Sequence, residues 1–352
     1  MKGKREGKKV SATVDLLALA ECVERFEGKR VVVLGDFVAD SFQSGDITRV
    51  SREAPVLILR HRQTEIVPGG GANAANNFVA LGARVVPISV VGDDPVGDSL
   101  IQHFRSKNVD VSGILRARGR TTPTKTRFLA GWTHTVAQQV LRVDYEPAAP
   151  LDESFLRRIQ SLAQSKVKSA DALAVSDYGL GVVTPEALRT VTTSLKRDIP
   201  IGLDSRYQLT SYRRARITTA TPNEAEVEAL HHTTIGRNKA ELERCGRATL
   251  KELKLASLVV TRGKDGMAVF EPGFPTIHIP VHGSDQAVDV TGAGDTVLAA
   301  YTLALASGAS AVEAAHIANI AGGLVVMKRG TATVSRDELL AAIRAAASEA
   351  TS

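Results

Sequence analysis

The chain has 352 residues, 43% of them apolar and 4% aromatic, enough for one large α/β domain or two small ones with a Val, Leu, Ile and Ala core. It carries no run of about 18 apolar residues, so no membrane span is expected. Its formal charge of +6 is no argument for a nucleic-acid partner, because Met1–Lys9 holds five Lys/Arg against Glu6 and leaves the body near +2.

The basic tail lacks the apolar core of a secretory signal. Residues 1–28 are expected to form a basic extension followed by a short amphipathic helix, Val14–Phe26. Arg30–Gly35 is a continuous apolar run ending in Gly35-Asp36, the pattern of a parallel strand covered on both faces. Similar runs recur at Val85–Val91, Ala172–Ser176, Ile201–Asp204 and Leu258–Thr261. Helical patterns lie between them at Gly97–Lys107, Ser154–Ser165, Pro185–Lys196 and Lys239–Leu253. This alternation predicts βαβ units around a central parallel sheet. Two segments, 42–67 and 121–146, break the rhythm with a period of two. In the second, Thr124, Thr126 and Phe128 alternate with Lys125, Arg127 and Leu129, and Val140–Tyr145 returns. Both are expected in an antiparallel sheet standing off the main one as a lid. Cys22 and Cys245 show no CxxC or metal-ligand spacing, which points to a reducing compartment, the cytoplasm, and no disulfide.

The stretch Asp289–Thr296, DVTGAGDT, is the most informative in the chain. Gly292, Ala293 and Gly294 allow backbone N–H groups to approach an anion, and the helix that follows adds its own unsatisfied N–H groups and dipole. Asp295 beside such an anion makes sense as a base taking the proton of a hydroxyl that attacks a phosphoryl group. The alternative is a strand-to-helix turn with an acidic N-cap. Asp36 and Asp40 bracket the end of the first strand, where ligands of open α/β sheets bind. Asp40 has the alternative of a helix or turn cap. Gly70 and Gly71 would let the backbone approach a ligand, and the Asn73 amide both donates and accepts. The alternative is a Gly-rich bend opening the helix Ala74–Leu81.

Thr221 as N-cap, Pro222 at N1 and Glu224 at N3 predict a capping box. Asn223 and Glu226 are left sharing a helix face. In the lid, Arg49, Lys125, Arg127 and Arg142 are candidates to clamp a phosphate, with Lys125 and Arg127 on one face. Solvated edge charges that deter aggregation are the alternative. Asp144 either pairs with Arg142 or binds sugar. The absence of GxxxxGK[ST] argues against a P-loop kinase.

Two strings, Pro68-Gly69-Gly70-Gly71-Ala72-Asn73 with Leu81-Gly82 and Asp289–Thr296, resemble the two signatures of the PfkB (ribokinase-like) carbohydrate kinases. The resemblance runs from about Arg30 to about Ser335, with the kinase domain expected over 29–345. It implies a three-layer αβα sandwich with a mostly parallel sheet and a β-sheet lid. It also implies ATP and Mg²⁺, with Asp295 as base and Gly292, Ala293 and Gly294 as anion cradle. Asp36 would bind sugar hydroxyls, and Asn223 with Glu226 would hold Mg²⁺ and phosphates through water. Thr261, Gly263 and Gly266 would flank the nucleotide, and Asn319 and Gly323 would wall the adenine. Many members hold K⁺ on backbone oxygens near positions matching Asp289 and Gly330. A homodimer through the lid is implied, with neither nucleic acid nor membrane as partner.

Within the group the chain looks most like the kinase half of the bacterial heptose enzymes, which phosphorylate D-glycero-β-D-manno-heptose 7-phosphate at the anomeric hydroxyl. The matching strings include Asp36 with Asp40, Arg49–Pro55, Ser176-Asp177-Tyr178 and Lys328–Ser335. The product would feed ADP-heptose and lipopolysaccharide core assembly. This sequence departs from the pattern at Asp204-Ser205-Arg206, where the heptose kinases carry Asp-Pro-Lys, and at Gly71, where Ala is usual. The nucleotidyltransferase half of the bifunctional enzymes is not among these residues. The rivals are a kinase of another sugar or nucleoside (ribose, fructose, adenosine-like) and a non-catalytic sugar-phosphate-binding protein.

Overall fold

Asp15 opens the first helix: its carboxylate accepts the N–H groups of Leu17 and Ala18 and caps α1 (Leu16–Glu24). The structure, a computed structural model, describes residues 14–132, 137–206, 209–284 and 286–351, so the Met1–Lys9 tail lies outside the described residues. The chain continues through β1 (Arg30–Gly35), β2 (Phe37–Val50), β3 (Leu57–Gly70), α2 (Gly71–Ala80), β4 (Arg84–Gly92), α3 (Pro95–Ser106) and β5 (Ile114–Ala117). There follow β6 (Thr124–Gly131), β7 (Gln138–Tyr145), α4 (Glu153–Val167), β8 (Ala172–Asp177), α5 (Pro185–Thr193), β9 (Ile201–Ser205) and β10 (Thr219–Ala220). The last third holds α6 (Glu224–His231), α7 (Lys239–Leu253), β11 (Ser257–Thr261), β12 (Met267–Phe270), β13 (Ile277–Ile279), α8 (Ala293–Ala306), α9 (Ala311–Val325) and α10 (Arg336–Thr351).

The main sheet has nine strands in the order β13-β12-β11-β10-β9-β8-β1-β4-β5. From β5 to β11 every pairing is parallel, and β12 and β13 add an antiparallel edge. The pleat of β1 explains why its apolar run is unbroken. Val31 and Val33 join a core under α1, α2, α3, α8, α9 and α10, while Val32 and Leu34 join the core under α4, α5 and α7. Each such side chain, fully buried, contributes about 1.5–3 kcal/mol. Helix α8 is buried continuously from Asp295 to Ala304 because it lies between the sheet and α9. Leu19, Val23 and Phe26 sit in the same core, and α1 packs on α10, so the first helix is part of the domain and not an appendage.

The lid is a separate four-stranded sheet in the order β3-β2-β6-β7. The β2–β3 and β6–β7 pairs are antiparallel, as expected, but β2 and β6 run parallel. The lid also reaches further than 42–67: β2 begins at Phe37, directly after β1, and β3 runs on to Gly70 at the start of α2. Both ends of this hairpin are therefore anchored at the carboxyl edge of the main sheet. Among the described residues, no helix is long and apolar enough to cross a membrane.

Candidate active site

The chain after β13 turns into α8 at Gly292, whose φ of 79° is open to glycine; a Cβ there would stand 2.5 Å from Asn73 Nδ2. No side chain caps this helix, so its first turn keeps N–H groups for a ligand. Ala293 N–H turns inward to Val290 O at 3.3 Å, so Gly294 and Asp295 present the open amides. Asp295 stands in that first turn and is no N-cap, since Gly292 holds that place. Its Oδ2 accepts from Asn73 Nδ2 at 2.8 Å and its Oδ1 from Tyr178 Oη at 3.3 Å. Burial, and then the charge of Asp40, push its pKa up to about 7 against the pull of the Asn73 and Tyr178 hydrogen bonds.

Two cavities meet at this turn. The first, ≈ 460 Å³, is lined by Asp40, Gly70, Lys125, Arg127, Arg142, Tyr178, Asp204, Arg206, Glu226, Gly292 and Asp295 among others. The second, ≈ 440 Å³ and more apolar, is lined by Gly263, Gly266, Val281, Ala293, Asn319, Gly323 and Val326 among others. Asn223, Thr261, Val290 and Gly294 line both. A polar chamber holding the Asp295 carboxylate thus meets a more apolar chamber at an uncapped helix start, a layout that suits passing a phosphoryl group between two ligands. In the second chamber Gly266 has φ 77°, and a Cβ on it would meet Ile279 O at 2.0 Å.

Lid residues close the first chamber. Arg127 Nη1 pairs with Asp40 Oδ1 at 2.6 Å, and Thr331 Oγ1 donates to Asp40 Oδ2 at 2.7 Å. Lys125 Nζ lies 5.2 Å from the centre of the Tyr178 ring. Beside it a niche of ≈ 110 Å³ is walled by Lys125, Arg142, Asp144, Tyr178 and Arg206 among others. Arg142 grips Asp144 with two bonds of 2.8 Å.

A model of the pfkB family carbohydrate kinases matches residues 29–338. The chain belongs to this family. It is a phosphotransferase acting on a sugar hydroxyl. The Bifunctional protein HldE of Geobacter metallireducens is 40% identical over 311 residues, which are 88% of this chain and 62% of that protein. The HldE of Mesorhizobium japonicum is 38% identical over 328 residues, 92% of this chain and 64% of its own length. The kinase thus spans less than two thirds of these relatives. Among solved structures, phosphofructokinase-2 of Escherichia coli in complex with potassium superposes with a TM-score of 0.72 at 21% identity, covering 92% of this chain and 99% of that one. The ribokinase of Arabidopsis thaliana complexed with ribose and ATP gives 0.70 at 19%, covering 90% and 99%. These two likenesses show the ribokinase-like fold.

Within the kinase, four sequence expectations need correction. Asp36 does not face the cleft. Its carboxylate is fully buried and accepts the N–H groups of Tyr178, Leu180 and Val182 at 2.9–3.0 Å, so it pins the loop after β8. Burial pushes its pKa up to about 6 although these donors oppose the rise. Arg49 pairs opposite Ile58 at the exposed outer end of the lid hairpin, about 30 Å of strand from Asp40. Gly71 and Asn73 lie behind the cleft wall: Gly71 N–H donates to Asp36 O at 2.9 Å, and Asn73 acts on Asp295 and not on an open cavity. The capping box of α6 is formed by Asn223 and Glu226, not by Thr221 and Glu224. Asn223 Oδ1 accepts from Glu226 N and Glu226 Oε2 from Asn223 N, both at 2.9 Å, while Glu224 pairs with Arg262.

Tyr178, Asp204, Arg206 and Thr331 fall in strings that carry the family resemblance, yet the sequence gives them no place at the substrate; all four stand in the first chamber's wall. Asp204 at the carboxyl end of β9 was open to discovery by the same strand-end rule that singled out Asp36 and Asp40. Its pKa is pushed well above the carboxylate range by burial and then by Glu226, Asp295 and Asp177. Such crowding of carboxylates fits a cation at this junction. Among the described residues no group of three or more His, Cys, Asp or Glu is placed to hold a metal ion. Asp289 and Gly330 do meet: Asp289 Oδ2 accepts from Gly330 N and Oδ1 from Thr291 N, both at 2.9 Å. Burial opposes its ionisation, but these donors hold its pKa below the usual value. Asn319 Nδ2 donates to Pro280 O at 2.8 Å, which fixes its amide in the wall of the second chamber.

Proposed function

We propose that the kinase phosphorylates D-glycero-β-D-manno-heptose 7-phosphate at its anomeric hydroxyl with Mg-ATP, giving the 1,7-bisphosphate for ADP-heptose and lipopolysaccharide core assembly. The observation that carries the choice is the niche where Lys125, Arg142 and Arg206 converge, alongside Asp144 and Glu146, next to the chamber that holds Asp295. A sugar with its reacting hydroxyl at Asp295 and a phosphate at its other end fits that arrangement. The resemblance to heptose kinases and the HldE relatives support it.

In this reading the sugar lies between Asp40 and Asp295, and the nucleotide lies along Thr261, Gly263, Gly266, Asn319 and Gly323. Asp295 Oδ takes the proton as the hydroxyl oxygen bonds to the γ-phosphorus and the bond to the bridging oxygen breaks, releasing ADP. The amides of Gly294 and Asp295 hold the charge that builds on the transferred group. Asn223, Glu226 and Asp204 are the residues to hold Mg²⁺, which supplies charge neutralisation on the phosphates. Asp289 shapes the loop at Gly330 where backbone oxygens would take K⁺. The lid exposes Val50, Leu57, Val140, Leu141 and Tyr145, which supports a homodimer through the lid. Sedimentation at two concentrations checks it, and a monomer at both contradicts it. A cytoplasmic location belongs to this reading, and the free thiols of the buried Cys22 and Cys245 suit its reducing milieu.

A panel of acceptors assayed with ATP tests the substrate. Turnover of the heptose 7-phosphate well above ribose, fructose and adenosine is expected. Strong turnover of one of those with none of the heptose phosphate rejects the choice. No turnover of any acceptor favours a sugar-phosphate-binding protein.

A further inference from the structure

A cavity of ≈ 630 Å³, larger than either half of the active cleft, opens at the amino ends of β9 and β10. Its wall carries six cations, contributed by α5, the α5–β9 loop, the turn before β10 and the end of α7, against the single carboxylate of Asp198. That carboxylate is taken by Arg216 at 3.1 Å, and Arg197 is held by Ala170 O and Asp171. Among the described residues, Arg189, Arg213, Arg214 and Lys254 have no ion-pair partner within 4.0 Å, yet they converge on one hollow. Like charges gathered without acids repel, and a bound anion relieves that repulsion.

Two further features separate this hollow from a solvated patch. Its floor is apolar, formed by the buried side chains of Ile199, Ile201, Ile217 and Leu253. The turn bearing Arg213 and Arg214 is also fixed in place, because Tyr212 between them and the core is buried and its Oη donates to Asp177 Oδ2 at 2.8 Å. A preformed apolar floor with a basic rim suits a ligand with a flat body and a chain of phosphates. We propose that this cavity is a second binding site, for a small molecule carrying two or more phosphates, with a nucleoside diphosphate the best fit to the apolar floor. Strands β9 and β10 connect it to the cleft: Ile201 faces the new site and Asp204 the old, about 10 Å apart along one strand.

The test is equilibrium dialysis of ADP, and separately of tripolyphosphate, against the wild-type chain and the Arg213→Glu/Arg214→Glu variant. Both residues are exposed and remote from the cleft, and Arg189→Glu and Lys254→Glu repeat the test from other elements if the first variant does not fold. Two ADP per chain in wild type, with one weakened at least about tenfold in the variant, is the expected result. Competition of that site by tripolyphosphate alone, at equal affinity, assigns recognition to the phosphate chain without the nucleoside. One ADP per chain, lost in the variant, keeps this site and removes nucleotide from the cleft. One ADP retained in the variant overturns the inference, as does binding of a single-stranded oligonucleotide with neither small anion bound.

Discussion

Asn73 Nδ2 lies 2.8 Å from Asp295 Oδ2, joining helices whose residues are 222 positions apart in the chain. Asn77 supports the contact by donating to Asn73 O at 3.0 Å and accepting from Thr296 Oγ1 at 2.8 Å. A neutral donor on a buried carboxylate favours its charged form. Asn73→Ala should therefore raise the pKa of Asp295 and move the acid limb of kcat/KM to higher pH. Turnover at neutral pH should fall about tenfold or more. A pH–rate profile checks both, and a limb that stays where it was contradicts the positioning role.

For Asp295 itself, burial has a stability consequence that can be signed. Its folded pKa of about 7 lies above the ordinary 3.8, so the folded state binds the proton more tightly. Its contribution to stability is fully present below pH 3.8 and is lost as pH rises through about 7. Asp295→Asn removes that loss. The variant should be more stable than wild type at pH 8, by about 2–4 kcal/mol, and the gain should fade by pH 4. Urea unfolding at the two pH values measures it.

Asp36 behaves oppositely to a ligand residue. Replacing it with Ala leaves three N–H groups, one buried and two part-buried, without their acceptor. A cost of about 1–3 kcal/mol is expected for each group that water cannot reach. Thermal melts should drop sharply, and any variant that remains folded should keep its KM for sugar to within a factor of about three. A large KM change at unchanged stability would return Asp36 to the binding site.

Much of the architecture was legible because it depends on local pattern. Helix α7 matches its expected span, Lys239–Leu253, since Asn238 caps one end and Lys254 at φ 55° closes the other. The cap of α6 was misread by two residues for a tertiary reason. Thr221 N–H bonds Leu203 O and Thr261 N–H bonds Pro222 O, so the chain stays extended until Asn223. Asp36 and Asp40 are both expected at the sugar, and only Asp40 lines the chamber, for a similar reason. Which of them turns to the cleft depends on the loop after β8, some 142 residues downstream, and on the lid's Arg127. Arg49 matched a motif, but a strand's length carries it away from the chamber.

The niche at Lys125 yields a substrate-dependent prediction. Burial lowers the pKa of its ammonium, with Arg206 adding to the effect, so a phosphate there would gain strongly from pairing. Lys125→Met should raise KM for a phosphorylated sugar at least about tenfold while leaving kcat nearly unchanged. An unphosphorylated acceptor should show no comparable change. Equal effects on both would move the phosphate elsewhere.

The most direct measurement is single-turnover phosphoryl transfer by Asp295→Asn, with ATP binding followed in the same samples. Turnover should drop at least about a hundredfold while the nucleotide affinity is largely kept. A transfer rate equal to wild type would contradict the assignment of Asp295 as the base.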